Sequence, residues 1–129
     1  EDLVRDMIHY FAQRVDSLTY KGLNDILIDP GFGFGKTQGH NYQLLEKLDV
    51  FRVFERPIVV GVSRKSMVYK ILGTKPEAAL NGTTALHALL LRKGAHILRV
   101  HDVAPAQEVI KLTHFYEQAN PGLQNQEEA

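Results

Sequence analysis

Three short groups of polar residues in this sequence each follow an apolar run, and each combines residue types that bind ligands. The first is Asp29, which precedes a glycine-rich segment that runs to Lys36. The second is residues 63–66, Ser-Arg-Lys-Ser, and the third is residues 99–102, Arg-Val-His-Asp. A carboxylate accepts hydrogen bonds, whereas lysine and arginine donate them and hold anions. Together the groups suit a ligand that has donor groups on one part and a phosphate-like group on another.

The segment from Asp29 to Thr37, here called the glycine loop, reads DPGFGFGKT. A phosphate-binding P-loop that ends in Gly-Lys-Thr would need glycine at position 30, where the sequence has Pro30. A dinucleotide-binding fingerprint starting at Gly31 would need glycine or alanine at position 36, where the sequence has Lys36. Both nucleotide-binding interpretations therefore fail on the position of one residue.

Two interpretations of the glycine loop remain open. In the first, Asp29 binds a ligand, and the glycines let two exposed aromatic rings, Phe32 and Phe34, approach that ligand. In the second, the loop is an ordinary tight turn, and the Asp29 carboxylate caps its backbone N–H groups.

The two basic groups also allow two interpretations each. Lys65 lies between two serine hydroxyls and can hold an anion or donate to a carbonyl or ring nitrogen, or it can belong to a solvated basic cluster. Along an extended chain, Arg99 and His101 project to the same side. Two basic side chains on one buried face require compensation, either by an anionic ligand or by pairing with Asp102 or another carboxylate.

The elements that position these groups follow from the apolar pattern. Continuous apolar runs occupy residues 26–28, 58–62 and 97–98, and helical patterns occupy residues 3–18, 44–51, 67–72, 84–93 and 105–116. Strands that are apolar on both faces are typical of a parallel sheet covered by helices. Asp29, Lys65 and Arg99 follow one another at intervals of 36 and 34 residues, a usual length for one strand–helix–strand unit.

We therefore predict an α/β fold of three parallel strands alternating with helices. The carboxyl ends of these strands would bring Asp29, Lys65, Arg99 and His101 to one face. This spacing does not distinguish an open sheet from a barrel.

The composition of the chain argues against several classes of partner and site. The 129 residues include 15 basic and 15 acidic side chains, which argues against nucleic acid or an anionic membrane as a partner. The lack of cysteine excludes disulfides, and no pair of the six histidines has zinc-ligand spacing with a third ligand. Because no apolar run could cross a bilayer and no signal peptide is recognisable, we expect a soluble, cytoplasmic protein.

The two ends of the chain carry separate expectations. The sequence has no initial methionine and opens inside a helical pattern, so we expect it to be a piece of a longer protein. Residues 119–129 are polar, and we expect them to form a disordered tail.

The three polar groups closely resemble the signatures of the dihydropteroate synthase family. The matching segments are DPGFGFGK at 29–36, SRKS at 63–66 and RVHDV at 99–103, in the order and spacing of that family. The likeness extends from about residue 1 to about residue 118, so 1–118 would be the C-terminal half of a pterin-binding domain. The resemblance implies the C-terminal part of a (β/α)₈ TIM barrel, in which the three strands are the sixth, seventh and eighth.

The resemblance also implies a reaction. The family condenses 6-hydroxymethyl-7,8-dihydropterin diphosphate (the pterin diphosphate) with 4-aminobenzoate, gives 7,8-dihydropteroate and diphosphate, and is the target of sulfonamides. Asp29 would accept hydrogen bonds from the pterin, and Lys65 would donate to it. Arg99 and His101 would hold the departing diphosphate, with Lys65, Arg99 and His101 as the catalytic residues.

The remaining implications concern the second substrate, the metal and the assembly. Gly33, Phe34 and Ser66 would shape the 4-aminobenzoate pocket. Mg²⁺ would assist the reaction, with its ligand in the part of the parent protein that precedes this chain. The parent would be a homodimer, and the isolated chain would be inactive.

Two alternatives stay open beside this one. A pterin-binding methyltransferase domain would share the barrel and a similar pterin site. A non-catalytic half-barrel would instead self-associate through its open edge strands.

Overall fold

A computed structural model describes residues 2–123 of the chain. The elements in chain order are α1 (Leu3–Tyr20), α2 (Gln38–Glu46), a 3₁₀ helix (Leu48–Phe54), β1 (Val59–Val60), α3 (Ser66–Leu72), a 3₁₀ turn (Pro76–Ala78), α4 (Leu80–Arg92), β2 (Ile97–Leu98), α5 (Val103–Ala119) and a 3₁₀ turn (Pro121–Leu123). The fold is α/β and mostly helical. In the part of the chain that is described, no helix is both long and apolar enough to cross a membrane.

The sheet is smaller than the sequence predicts. Strands β1 and β2 pair in parallel, with Val59 opposite Ile97 and Val60 opposite Leu98. The first apolar run, residues 26–28, contributes a single parallel bridge between Ile28 and Ile58 rather than a strand. The predicted three-stranded sheet is therefore two short strands and one bridge.

Two prolines explain why the bridge does not extend into a ladder. The Ile28 N–H donates to the carbonyl of Pro57, and the Val59 N–H donates to the carbonyl of Ile28. Proline has no N–H to donate, so Pro57 cannot continue the pairing on one side, and Pro30 cannot continue it beyond Asp29. The parallel direction and the order of the three segments are nevertheless as predicted.

The structure divides one helix of the apolar pattern, and two helices begin well before the positions that the pattern predicts, α2 at Gln38 and α4 at Leu80. The single helix predicted over residues 44–51 is divided at Lys47, where α2 ends and the 3₁₀ helix begins. A 3₁₀ helix aligns side chains three residues apart, so Leu48 and Phe51 both face the core and are fully buried. At the other helix ends, Gly22 and Gly94 have φ values of +89° and +101°, as expected for glycines that terminate helices.

The core lies between the short sheet and the helices. Its fully buried large side chains are Ile28, Phe32, Leu44, Leu48, Phe51, Ile58, Val60, Val62, Met67 and Leu90. Helix α1 closes one side, where the Phe11 ring packs edge-to-face on Phe51 at a centroid distance of 5.8 Å. Burial of one such side chain contributes about 1.5–3 kcal/mol, so this core, rather than surface polar contacts, holds the strand ends in place.

The C-terminal tail lies largely outside the described residues. Helix α5 continues to Ala119, and Pro121–Leu123 form a 3₁₀ turn. The predicted disorder of residues 119–129 remains a prediction for residues 124–129, which are not described.

Helices α3 and α4 approach each other closely at Gly82. A methyl group on this residue would lie 2.6 Å from Val68 Cγ1 and 2.8 Å from Leu72 Cδ1. We expect Gly82→Ala to lower the free energy of unfolding by about 1–3 kcal/mol because the two helices must separate. Chemical denaturation would measure this.

The matched control is Gly39→Ala, at a helical position with open space, where the nearest atom, Thr37 Oγ1, is 3.8 Å from the added methyl group. Here the higher helix propensity of alanine should leave stability unchanged or slightly increased. Equal stability of the Gly82→Ala variant and the wild type would contradict the close packing.

His87 predicts a pH dependence of stability. Its side chain is buried in α4, its Nε2 has no hydrogen-bond partner, and burial lowers its pKa from the ordinary value of 6.5. Below pH 6.5 the unfolded chain binds a proton that the folded chain does not. We therefore expect the free energy of unfolding to be fully maintained above pH 6.5 and to decrease as the pH falls from there toward the lowered pKa.

Urea denaturation across pH 5 to 8 would test this expectation, with His87→Gln as the variant that removes the titrating group. The variant should lose part of the pH dependence. His9→Gln, at an exposed position on α1, is the control. Identical pH profiles for the wild type and His87→Gln would show that His87 does not carry the effect.

Candidate functional site

The register of the short sheet brings the ends of three segments together. The Arg99 N–H donates to the carbonyl of Val60 at 2.9 Å, so the residue after β2 lies beside the end of β1. From there the Arg99 side chain crosses the central strand, and its Nη1 donates to Asp29 Oδ2 at 3.0 Å. Residues that are 70 positions apart in the sequence thus form an ion pair at one edge of the sheet.

Gly61 makes this crossing possible. A methyl group on Gly61 would lie 2.9 Å from Arg99 Nη2 and 3.2 Å from its Nε. The guanidinium plane therefore rests against the bare backbone of Gly61, and any side chain there would displace it. The sequence analysis did not identify Gly61, although a glycine inside an apolar strand is a recognised sign of a close approach by another group.

Asp29 caps the glycine loop, which is one of the two roles that the sequence left open, and it also forms an ion pair. Its Oδ1 accepts a hydrogen bond from the Gly31 N–H at 3.0 Å, which is the predicted cap on the glycine loop. Its Oδ2 accepts from Arg99, so the carboxylate is both a turn cap and half of an ion pair. The side chain remains 35% exposed, and that of Arg99 is 58% exposed, so both are open to a ligand.

The two aromatic rings of the glycine loop have opposite environments. Phe34 is 70% exposed, as predicted, but Phe32 is only 1% exposed and belongs to the core. The prediction that both rings face a ligand was therefore wrong for Phe32. In a regular extended chain, residues two apart would face the same side; here Gly31, Gly33 and Gly35 have φ values of +73°, +89° and +63°, which break that regularity.

Lys36 holds the glycine loop from within. Its ammonium donates to three loop carbonyls, those of Gly31 at 2.8 Å, Pro30 at 3.3 Å and Phe34 at 3.4 Å. Burial lowers the pKa of Lys36, and the nearby Asp29 carboxylate partly opposes this shift. These hydrogen bonds thus restrain the backbone of a loop whose glycines would otherwise allow many conformations.

Lys65 lies beside the same loop. Its Nζ donates to the carbonyl of Phe32 at 2.8 Å and lies 5.0 Å from the centroid of the Phe34 ring, an arrangement that allows a cation–π contact. Burial lowers the pKa of Lys65, and the positive charge of Arg99 lowers it further, while Asp29 opposes both. Asp29, Lys65 and Arg99 therefore interact electrostatically, as the sequence predicts.

Arg64 and Asp102 form a separate ion pair. The Arg64 Nε and Nη2 donate to the two oxygens of Asp102 at 2.8 and 3.1 Å, and Nη1 donates to the carbonyls of Pro76 and Glu77. The hydrogen bond from Arg64 holds the pKa of Asp102 below its usual value. Asp102 is thus the partner of Arg64, and Asp29 rather than Asp102 pairs with Arg99.

The remaining predicted residues, His101 and Ser66, make their hydrogen bonds with other residues. The His101 backbone N–H donates to Ser63 Oγ at 3.2 Å, and its side chain is exposed. Ser66 Oγ accepts a hydrogen bond from Gln38 Nε2 at 3.2 Å. Gln38 belongs to α2, a helix that the sequence analysis did not connect with the site.

The described residues offer little to a metal ion. Residues 2–123 contain no group of three or more histidine, aspartate or glutamate side chains placed to share a cation. The carboxylate at the centre of the cluster, Asp29, is already engaged by Arg99 and by the Gly31 N–H. The site instead combines one acceptor with several cationic donors, which suits an organic ligand with an anionic group.

Comparison with known proteins identifies a family. The family model described as "Pterin binding enzyme" matches residues 1–101. Dihydropteroate synthase of Escherichia coli (strain K12) is 39% identical over 114 residues, which are 87% of this chain and 40% of that protein. The bifunctional dihydropteroate synthase/dihydropteroate reductase of Helicobacter pylori is 36% identical over 119 residues, 92% of this chain and 31% of that protein.

Solved structures agree with the sequence matches. Yersinia pestis dihydropteroate synthase in complex with a sulfonamide drug has a TM-score of 0.90 at 38% identity, covering 93% of this chain and 44% of that one. The Coxiella burnetii dihydropteroate synthase in complex with pteroic acid has a TM-score of 0.86 at 33% identity and covers 91% and 44%. The chain thus spans less than half the length of these relatives, and its fold corresponds to part of theirs.

The contact between Gly61 and Arg99 gives a direct test of the site. We expect Gly61→Ala to move the guanidinium away from Asp29, because the new methyl group would occupy its place. A crystal structure of the variant would then show the Nη1–Oδ2 distance increased from 3.0 Å to beyond hydrogen-bonding range. Gly39→Ala, whose added methyl group would have neither Arg99 nor Asp29 within 4 Å, should leave the distance unchanged. An intact ion pair in Gly61→Ala would contradict the role assigned to Gly61.

Proposed function

Because this chain belongs to the pterin-binding enzyme family, we propose that its parent protein is a dihydropteroate synthase and that the chain carries half of the active site. The reaction joins the pterin diphosphate to 4-aminobenzoate and releases diphosphate. The observation that carries the proposal is the cluster of Asp29, Lys65 and Arg99 at the ends of parallel segments. It supplies one acceptor and two cations where a donor-rich ring with an anionic leaving group would bind.

Asp29 and Lys65 would bind the two edges of the pterin. The amino and ring N–H groups of a pterin form a planar donor pair that matches a carboxylate, and Lys65 would donate to the acceptor edge. When no ligand is bound, Arg99 donates to Asp29 Oδ2, so the pterin N–H groups would have to replace Arg99 as the donors to this oxygen. An exposed ion pair contributes only about 0–1 kcal/mol, so the pterin donors could replace it at little cost.

Arg99 and His101 would hold the diphosphate. Once released from Asp29, the guanidinium can stack over the pterin ring and donate two hydrogen bonds to a phosphate oxygen pair, which lysine could not do. The exposed His101 side chain would add a second donor. Lys65, whose pKa is lowered by burial and by the positive charge of Arg99, would be the other cation of the site, and its ammonium donates to the Phe32 carbonyl.

Phe34, Gly33 and Ser66 would shape the pocket for 4-aminobenzoate. The Phe34 ring is the one large apolar surface that the glycine loop exposes, and it lies over Lys65. Structures of relatives in complex with a sulfonamide drug and with pteroic acid support binding of ligands of this kind. 4-Aminobenzoate itself remains a prediction from the resemblance.

The proposed mechanism needs no protein nucleophile. Diphosphate departs while Arg99 and His101 stabilise its charge, and the amine of 4-aminobenzoate then attacks the pterin methylene carbon. The protein contributes positioning and charge stabilisation. Mg²⁺, which the family implies, does not fit the described residues, because they contain no group of three or more histidine, aspartate or glutamate side chains that could hold it. Its ligand is expected elsewhere in the parent.

The parent would complete the fold as a (β/α)₈ TIM barrel. In it, residues 26–28 would pair on their free edge and become a full strand, as the sequence predicts. A homodimeric assembly and a cytoplasmic location also stay predictions.

A pterin-binding methyltransferase is the alternative function. It predicts that pterin diphosphate binds no better than the bare pterin, because such a protein has little use for a diphosphate site at Arg99 and His101.

In the full-length parent, we expect Lys65→Ala and Arg99→Ala each to lower activity at least about a hundredfold, or about 2.7 kcal/mol of transition-state stabilisation. Diphosphate release would be the assay, and Lys111→Ala, at an exposed position on α5, is the control. The isolated 129-residue chain should give only background release. Near-normal rates in both site variants would contradict the assigned roles.

A further inference from the structure

The peptide group between Phe32 and Gly33 is held from both of its sides. Its carbonyl accepts from Lys65 Nζ at 2.8 Å, and its N–H donates to Asn41 Oδ1, also at 2.8 Å. Lys65 precedes α3, whereas Asn41 belongs to α2. We propose that Asn41 is a positioning residue that fixes the orientation of this peptide group and thereby the positions of Lys65 and Phe34.

The peptide group needs such a restraint because of Gly33. Its φ of +89° lies in a region that glycine enters as readily as the opposite sign, so the preceding peptide can rotate with little conformational penalty. After rotation, the N–H would point toward the Lys65 ammonium, and donor would face donor. The hydrogen bond to Asn41 stabilises the one orientation in which Lys65 meets a carbonyl.

The position of Asn41 in α2 allows its side-chain oxygen to supply this restraint. The side chain is 1% exposed, and a buried amide must be hydrogen-bonded. Asparagine is also a poor helix former compared with leucine or alanine. A buried asparagine inside α2 is therefore a cost to the helix that the contact with the glycine loop offsets.

The same face of α2 is fixed against the start of α3. Gln38, Asn41 and Tyr42 have the i, i+3, i+4 spacing that places side chains on one helix face. Gln38 Nε2 donates to Ser66 Oγ at 3.2 Å, and the Tyr42 hydroxyl donates to the Met67 carbonyl at 2.7 Å. These two contacts hold α2 next to the residues that follow Lys65. Asn41 therefore reaches the glycine loop from a fixed position.

The functional consequence rests on the proposed function. Phe34 follows the restrained peptide directly, and its ring lies 5.0 Å from Lys65 Nζ. Asn41 would then determine how the predicted 4-aminobenzoate pocket is presented, without touching either substrate.

Two variants of Asn41 separate positioning from general stability. Asn41→Leu keeps the approximate volume but removes the acceptor, whereas Asn41→Asp keeps an acceptor oxygen. In the unliganded chain, NMR can follow the exchange rate of the Gly33 amide and the ring-current shift that Phe34 imposes on the Lys65 ε-methylene protons. We expect Asn41→Leu to speed Gly33 exchange about five- to tenfold, the effect of losing one hydrogen bond, and to abolish the ring-current shift. Asn41→Asp should largely retain both.

Tyr42→Phe is the matched control: it removes one hydrogen bond from the same helix face, while the Gln38–Ser66 hydrogen bond and the buried Leu44 and Leu45 side chains still hold α2 in place. It should change neither NMR signal at the loop. Unchanged Gly33 exchange and an unchanged Lys65 shift in a folded Asn41→Leu variant would overturn the proposal, as would equal changes in Tyr42→Phe.

Kinetics of the full-length parent tests the functional part separately. Asn41→Leu should raise the KM for 4-aminobenzoate more than the KM for pterin diphosphate. If the NMR signals change and neither KM does, the positioning role of Asn41 stands and the assignment of the glycine loop to the 4-aminobenzoate pocket is wrong.

Discussion

The parallel register of the short sheet is the constraint on which the candidate site depends. Val60 pairs with Leu98, and Ile58 bridges to Ile28, so the residues that follow these three segments emerge at one edge. Since side chains alternate faces along a strand, a shift by one residue would send the Arg99 side chain to the other face. The guanidinium reaches Asp29 because the register places it over Gly61, the residue after the central strand, where no side chain is in its way.

The ion pair at this edge contributes little to stability, and this is consistent with a role in binding. Arg99 and Asp29 are 58% and 35% exposed, and ion pairs in such surroundings contribute about 0–1 kcal/mol. The buried apolar side chains of the core, at about 1.5–3 kcal/mol each, hold the segments instead. The fold can therefore keep Asp29 and Arg99 in place while their mutual contact is exchanged for contacts with a ligand.

Sequence patterns predicted the order of the elements and the cluster of Asp29, Lys65 and Arg99, because apolar runs and the polar residues after them are local signals. They did not predict the inward turn of Phe32, since the positive φ values of the neighbouring glycines decide which ring faces the core. Strand length was also overestimated, because pairing depends on the N–H groups that Pro30 and Pro57 lack. Asn41 and Gly61 escaped notice because their roles lie in contacts with residues distant in sequence.

The contacts described for the cluster come from within the chain itself. Asp29 is fixed by Gly31 and Arg99, Lys65 by the Phe32 carbonyl, and the glycine loop by Lys36 and Asn41. Each of these interactions joins residues between positions 29 and 99. The geometry of Asp29, Lys65 and Arg99 is thus organised by contacts within one stretch of the chain, which explains how a cluster with exposed side chains keeps a defined arrangement.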